Sequence, residues 1–404
     1  TDHCYGIHIY DSSHNFLRNN KIYGNTYNLE VWGLVLQHFV HDIDSTNKVD
    51  QKPVCYWVDK HDVEVPLDAG YVAIVNCSNV VVGDLTLSNN GEGVLFAYAL
   101  NSTISNVTVV NNRRGIRLLS SDSNLIVNNS ITRSEWCGVT IDASMDNTLK
   151  GNVISENRHH GIVMSYSSLL PYFSKANMLV ENEIFGNNYG LFFDTSSDSV
   201  VCWNVLSNYF CNIVLKDSAS NVFYGNSIKG SKCGVQVQHS SNNSVCNNNF
   251  GDNLIQVEVK DFLSINKWYD GYPSGGNSWS DYGGVDAWSG PYQNVTGNDG
   301  IGDSPYVIDR NNRDDYPLMG TFSEFVVYWE GQKFSLATVC NSTISNFRFD
   351  SSKKMISFNV AGLNDSLGFC RIAILTDLIK SLWNNCFVVL VDGKEPVTMR
   401  NWTE

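Results

Sequence analysis

Ionised side chains are scarce: Asp, Glu, Lys and Arg make up only 17% of the 404 residues. The charge present is lopsided, 41 acids against 27 bases, for a net charge of -14. That balance disfavours nucleic acid and anionic membrane surfaces as partners. Long apolar runs are missing as well, so no segment reads as a bilayer span, which needs about 18 or more apolar residues in a row. The six Met and nine His are dispersed, whereas a copper centre wants soft and imidazole ligands grouped together. Eleven cysteines include no CxxC pair, which excludes a zinc ribbon or a thioredoxin-like site. There is no initiator Met, signal peptide or lipidation motif. The first residues already read as a coil, Gly6-Ile7-His8-Ile9 and then Leu17, Asn20 and Ile22, as expected of a processed chain or a fragment.

What the chain has in abundance is repetition. A phrase of glycine or asparagine followed by apolar-x-apolar begins at Gly93, Gly115, Gly138, Gly161, Gly190, Asn212 and Gly234, in steps of 22, 23, 23, 29, 22 and 22. A second phrase keeps the same register: Ile126, Asn129, Ile131; Leu149, Asn152, Ile154; Leu179, Asn182, Ile184; Val201, Asn204, Leu206; Phe223, Asn226, Ile228; Val245, Asn248, Phe250. Apolar residues alternate at period two in short segments bounded by Ser, Asn, Asp and Gly, the pattern of strand and turn. About 22 residues suffice for one coil of a right-handed parallel β-helix. Equivalent residues of stacked coils then form columns about 4.8 Å apart. Asn129, Asn152, Asn182, Asn204, Asn226 and Asn248 become a ladder of amides bonded along the axis. The glycines suit a position of positive φ or close coil approach.

The chain divides into a β-helix over residues 1–262, a Gly/Asp/aromatic cap and linker over 263–320, and a small, incomplete β-sandwich over 321–404. The sandwich reading rests on alternating stretches such as Phe325–Tyr328, Met355–Val360 and Phe387–Val391. An enlarged coil with a protruding loop is expected over about 37–70, and an insertion over 167–176 accounts for the single 29-residue step. Trp268, Tyr269, Tyr272, Trp279, Tyr282 and Trp288 are placed to cover the open end of the solenoid.

The paired columns resemble the NosD-like group of right-handed β-helix proteins, also described as carbohydrate-binding and sugar-hydrolase repeats. The run Trp268-Tyr269-Asp270-Gly271-Tyr272-Pro273-Ser274-Gly275-Gly276-Asn277-Ser278-Trp279, with Asp299-Gly300-Ile301-Gly302-Asp303 and Tyr316-Pro317-Leu318-Met319, is similar to the segment that ends the helix in archaeal surface proteins of this type. The resemblance covers about residues 1–320 and implies an extracellular setting. The founding group's role in copper-site assembly ranks third among the functions it implies.

Chemistry-bearing residues are few. Outward positions of the first strand read Arg117, Thr140, Val163, Phe192, Val214, Gln236, and those before the glycines Arg114, Cys137, His160, Tyr189, Cys211, Cys233. Neither column holds the paired carboxylates a glycosidase needs. Glu135, Asp142, Glu156, Arg133, Arg158, His159 and His160 form the one candidate cluster. Asn298, Asp299 and Asp303, among flexible glycines, are compatible with a calcium ion. Cys211 and Cys233 share a column, and one pair among Cys340, Cys370 and Cys386 could bridge. Nine Asn-x-Ser/Thr sequons fall at Asn76, Asn101, Asn106, Asn128, Asn242, Asn294, Asn341, Asn364 and Asn401, which fits a secreted glycoprotein. Finally, Val200, Cys202, Trp203, Val205, Val222 and Tyr224, with Val163, Phe192 and Val214, put apolar groups on outer faces that solenoids normally keep polar. Such a patch marks a covered surface, the cover being the 167–176 insertion, the terminal sandwich or another copy of the chain. The leading expectation is therefore a self-assembling cell-surface glycoprotein: a lattice, sheath or filament subunit, or an adhesin. A carbohydrate-active enzyme or carbohydrate-binding module is the alternative.

Overall fold

The computed structural model describes residues 3–165, 173–363 and 367–400. The fold is a parallel β-helix with three sheets of 12, nine and eight strands. The long sheet runs through the apolar-x-apolar phrases, each pairing in parallel with the next, as Val139↔Ile162, Ile162↔Leu191 and Leu191↔Ile213 show. The shorter strands of the Asn phrase make the other two sheets, for instance Val200–Cys202 and Val205–Ser207. Inward residues such as Val94, Phe96, Ile116, Leu118, Ile141, Leu179 and Phe193 are fully buried in one continuous core. Each such side chain is worth about 1.5–3 kcal/mol of hydrophobic burial.

The ladder joins the six expected asparagines. Asn204 is typical: its Oδ1 accepts from the Asn182 backbone N and side-chain Nδ2 at 2.9 Å each, and its Nδ2 donates to Asn226 Oδ1 at 3.0 Å and to Leu179 O at 2.9 Å. A second column runs through Asn124, Asn147 and Asn177 to Ser199, Asn221, Asn243 and Asn266. A third holds Asn157, Asn187 and Asn208. Where the next coil supplies no asparagine, Asn208 Nδ2 bonds Asn212 Oδ1 at 3.0 Å. This is why one glycine of the phrase is replaced by Asn212. The glycines themselves answer to close coil approach: a Cβ on Gly115 would lie 2.2 Å from Gly138 O, and none of Gly93, Gly115, Gly138, Gly161, Gly190 and Gly234 has positive φ.

Residues 5–49 do not continue the axis of the helix. Tyr5–Tyr10 pairs with Tyr27–Trp32, Phe16–Leu17 with Asp42–Ile43, and Lys21–Ile22 with Lys48–Val49, all in parallel. The antiparallel hairpin Lys48↔Pro53 then reverses the chain into the first strand of the main helix, Lys52–Val58. The stretch 37–70 thus holds a 3-10 turn at Leu36–Phe39, two short strands, the hairpin and a short first coil. Leu29, Val31, Phe39 and Val49 of this N-terminal lobe pack on Tyr71, Ala73, Val75, Leu95, Ala97 and Leu119, forming a second core on the outside of the long sheet.

At the far end Trp268 and Trp279 close the core, with Phe250 and Tyr306 stacked on either side of Trp279 at 4.3 and 4.2 Å. Beyond lie the antiparallel strands Thr321–Trp329, Gln332–Cys340 and Cys370–Ala373, the hairpin Thr343–Asp350/Met355–Ala361, and the helix Thr376–Trp383. The helix interrupts the expected sandwich: Leu378 and Leu382, four apart, bury one face against Val327 and Leu336. Phe387–Val391, read from sequence as a strand, makes none, and Val388 and Leu390 stay exposed. The insertion read over 167–176 falls largely on 166–172, outside the described residues. Among those residues no helix is long and apolar enough to cross a membrane.

Replacing Asn204 by Ala strips both ladder bonds and leaves buried donors of Asn182 unpaired, a loss of about 3 kcal/mol expected in the urea unfolding midpoint.

Candidate functional site

The outer face of the long sheet is split in two. Its N-terminal part lies under the lobe 5–49, and the seam is ionic. Glu30 of the lobe, fully buried, accepts from Arg113 at 2.6 Å and Arg114 at 3.3 Å, and His8 lies 3.5 Å away. Arg117 is fully buried on the Trp32 ring, 3.8 Å from its centroid, donates to Gly33 O, and meets Asp142 at 3.4 Å. Glu92 is fully buried beside them, 3.9 Å from Arg114. Burial first and the Glu30 charge second raise its carboxyl from 4.5 to about 7.

Beyond the lobe the same face is open and carries a stripe of rings. Trp136 and His159 lie 5.1 Å apart, His160 stacks on Tyr189 at 5.3 Å and meets Phe192 edge-on at 5.0 Å, and Tyr189 reaches Phe210 at 5.9 Å. Lys232 ends the row, its Nζ 4.6 Å from the Phe210 centroid. Trp136 and Phe210 remain 46% and 40% exposed. Cys137↔His160, His160↔Tyr189 and Tyr189↔Cys211 are register partners on successive strands, so the stripe advances by one strand spacing per coil. Burial, and then the neighbouring His159, lower the His160 imidazole to about 4, which keeps it neutral.

The charged cluster expected around these histidines is dispersed. Arg133 pairs with Glu156 at 2.9 Å and Arg158 with Glu135 on exposed turns, Asp142 belongs to Arg117, and both histidines join the stripe. Ser165 Oγ donates to Asp142 at 2.5 Å, and Lys216 pairs with Asp194 at 3.2 Å. Each carboxylate on this face therefore has a partner. The stripe itself was half visible in sequence: its outward column was read, but Trp136, His159 and Phe210 fall in the turn before each strand, outside the apolar-x-apolar phrase.

Val163, Phe192 and Val214 lie on this face, Val214 buried with Cys211 and Cys233. The other apolar outer residues form a separate patch, and the terminal unit lies against it. Trp203 stacks on Phe322 at 6.1 Å, Tyr224 meets Phe322 at 5.5 Å, and Asn249 bonds the Phe322 backbone through both its oxygen and its nitrogen. Cys202 is buried, whereas Val200, Val205 and Val222 stay 37–41% exposed. A cleft of about 790 Å³ runs along this junction past Lys229, Glu324 and Phe325.

In the cap the acidic side chains face backbone amides. Asp303 accepts from Ala287 and Trp288, Asp299 from Gly290 and Ile301, and Asp286 from Asp299 and Gly300. Asn298 is exposed. These carboxylates thus each accept two backbone N–H bonds and fix the turns of the cap. Among the described residues no group of three His, Cys, Asp or Glu could hold a metal. Copper fares no better: Cys137 Sγ and His160 Nδ1, 3.6 Å apart, have no third ligand at hand. Seven sequon asparagines, Asn76, Asn101, Asn106, Asn128, Asn242, Asn294 and Asn341, are exposed; Asn364 and Asn401 lie outside the described residues.

The coils, the amide ladders and the closed ends define a parallel β-helix protein. The profile of the family described as periplasmic copper-binding protein (NosD) matches residues 58–212 and 165–284, together more than half of the chain, and the protein belongs to that family. No curated protein matches it. Among solved structures, a mutant tailspike of E. coli bacteriophage HK620 in complex with hexasaccharide is 12% identical, with a TM-score of 0.43 over 62% of this chain and 51% of the tailspike. A tailspike mutant of the same phage is 15% identical, TM-score 0.40, over 49% and 41%. A mutant of the periplasmic alginate epimerase AlgG is 12% identical, TM-score 0.38, over 53% and 56%. The chain thus spans roughly half the length of these proteins.

Two outcomes check the site. Since the folded-state pKa of Glu92 is raised, the folded chain holds that proton more tightly than the unfolded one. The contribution to stability is greatest below about pH 4.5 and is lost as pH rises through about 7. Wild type should therefore lose stability relative to Glu92→Gln by at least 1 kcal/mol between those pH values, read as urea midpoints. In calorimetry, EDTA should leave the melting transition unmoved, since the cap carboxylates already bond backbone amides.

Proposed function

We propose that the protein is a non-hydrolytic carbohydrate-binding β-helix acting outside the cytoplasm, with an extended glycan lying along the stripe from Trp136 to Phe210. The observation that carries this reading is the stripe itself: half-exposed rings, one strand spacing apart over roughly 15 Å, on the most regular sheet of the molecule. Aromatic rings that recur at a repeat close to the rise of an extended sugar chain give each pyranose an apolar contact. Trp, Tyr and His make such a contact with little rotamer entropy to lose. The stripe's surroundings favour a neutral glycan. Arg117, Arg133, Arg158 and Lys216 are each bound to a carboxylate, Lys232 at the end of the row lies over the Phe210 ring, and the chain as a whole is acidic. The exposed sequons and the family's description as periplasmic support an exported setting.

Self-assembly into a surface lattice, sheath or filament is the second reading. Exposed Val200, Val205 and Val222 favour it, along with the outer strand Thr321–Trp329, whose Val326 and Tyr328 are 44% and 67% exposed. The cover on Trp203 and Tyr224 is already supplied within the chain, so this reading rests on fewer residues than the composition of that face implies.

Affinity electrophoresis in gels cast with neutral glucans or mannans tests the first reading. Retardation is expected for wild type and a loss of at least tenfold in affinity for Trp136→Ala with Tyr189→Ala, at unchanged thermal stability. Light scattering showing a discrete polymer, with no retardation in any gel, would favour assembly instead.

A further inference from the structure

Seven of the cysteines line the β-helix between Cys55 and Cys246, and three lie in the terminal unit. Two pairs are register partners on adjacent strands, Cys211↔Cys233 in parallel and Cys340↔Cys370 in antiparallel array. Parallel partners point the same way, and their Cβ atoms stay about a strand spacing, 4.8 Å, apart, beyond the 3.5–4.5 Å usual for a disulfide. Cys211 and Cys233 are moreover turned to backbone carbonyls, at 3.1 Å from Ile213 O and 3.4 Å from Val235 O. They read as a stack of buried thiols.

Cys340 and Cys370 differ in strand direction and in exposure. Antiparallel partners have Cα atoms about 4.5–5.5 Å apart, within the range a disulfide spans. Cys340 ends its strand, paired with Thr321 on one edge and with Cys370 on the other, and Cys370 begins its own strand, so the pair closes the end of their shared ladder. Asn341 draws the neighbouring backbone together, accepting from Phe369 N at 2.9 Å and donating to Leu367 O at 3.0 Å. Cys340 is buried while Cys370 is open to solvent, so an outside reagent can reach the pair.

We propose that Cys340 and Cys370 form a disulfide in the working protein, made by exchange with a small-molecule disulfide. One thiolate of the pair attacks a sulfur of the incoming disulfide and expels the first thiolate. The other then attacks the mixed disulfide and expels the second. Two protein thiols are oxidised, one external disulfide is reduced to two thiols, and the protons pass to the departing sulfurs. The bond clamps the strand Cys370–Ala373, whose flanks hold the terminal unit on the β-helix: Arg371 donates to Pro273 O in the cap, and Phe369 packs with Ile301, Leu318 and Phe322.

Peptide mapping tests the inference on the full chain, incubated with oxidised glutathione, unfolded, alkylated without reduction and digested with trypsin. The expected product joins peptides 334–348 and 355–371 with the loss of two hydrogens, while Cys386 is alkylated. Hydrogen exchange provides the second readout. Dithiothreitol should speed exchange in 370–373 by at least tenfold in wild type, and should have no effect on exchange in Cys370→Ser. Alkylation of both Cys340 and Cys370, a stable glutathione adduct, or a bridge from either residue to Cys386 would overturn the assignment.

Discussion

The structure depends on hydrogen bonds that run along the helix axis through side chains. A coil with three short strands must turn at every corner, and there the backbone points into a core that water cannot enter. Each buried N–H left unpaired would cost about 1–3 kcal/mol. The asparagine columns remove that cost by repetition: each amide oxygen accepts from the preceding coil, and each amide nitrogen donates onward and to the backbone. A serine column does the same at another corner, Ser121, Ser144 and Ser174, then Ser218, Ser240 and Ser264. Because the backbone N–H at each column position donates to the next coil, the last coil needs an acceptor beyond it. Asp314 takes Asn277 N at 2.7 Å, and Asp261 takes Ser264 Oγ at 2.8 Å. Asn312, bonded in turn to Asp309, takes Asn266 N. The cap is thus a set of acceptors as well as a plug of aromatic rings.

With the corners fixed in this way, the outer faces are free to vary. The chain uses that freedom three times on the described surface: for the N-terminal lobe, the ring stripe and the terminal unit. The lobe and the terminal unit rest on different physics. The lobe combines an apolar core with desolvated charges, Glu30 and Glu92 against Arg113, Arg114 and Arg117, whereas the terminal unit touches the helix through Phe322 and the Asn249 amide. A buried ion cluster is costly to form and costly to break, so it fixes where the lobe sits more than it adds to stability.

Period and columns made the coil legible in sequence because the same physical demand recurs at every step. Asn182 and Ile184 mean the same thing as Asn204 and Leu206. Non-repeating contacts leave no such trace. That Leu95 and Ala73, outward residues, would be covered by Leu29 and Phe39 could be suspected from their apolar character, yet nothing in spacing says which segment covers them. Trp203 and Tyr224 announced a cover in the same way, but Phe322 lies about a hundred residues further on. The helix Thr376–Trp383 is two turns long, too short for its Leu378 and Leu382 to outweigh the strand-like neighbours. Asp299 and Asp303 carried a calcium-like composition, and only coordinates could show their oxygens turned to backbone amides. Of the stripe, the sequence exposed the column holding His160 and Tyr189 and placed His159 in a charged cluster, but did not mark Trp136 or Phe210.

The carboxylates beside the stripe are already engaged in ion pairs. Asp142 and Asp194 sit on strands separated by one other, Ser165 lying between them, hence about 10 Å apart. That is at the upper edge of the separation an inverting pair of carboxylates uses. Each is nevertheless held by a cation, Arg117 or Lys216, and Arg117 is itself fixed under Trp32. The rings on the same strands take their even spacing from the ladders behind them.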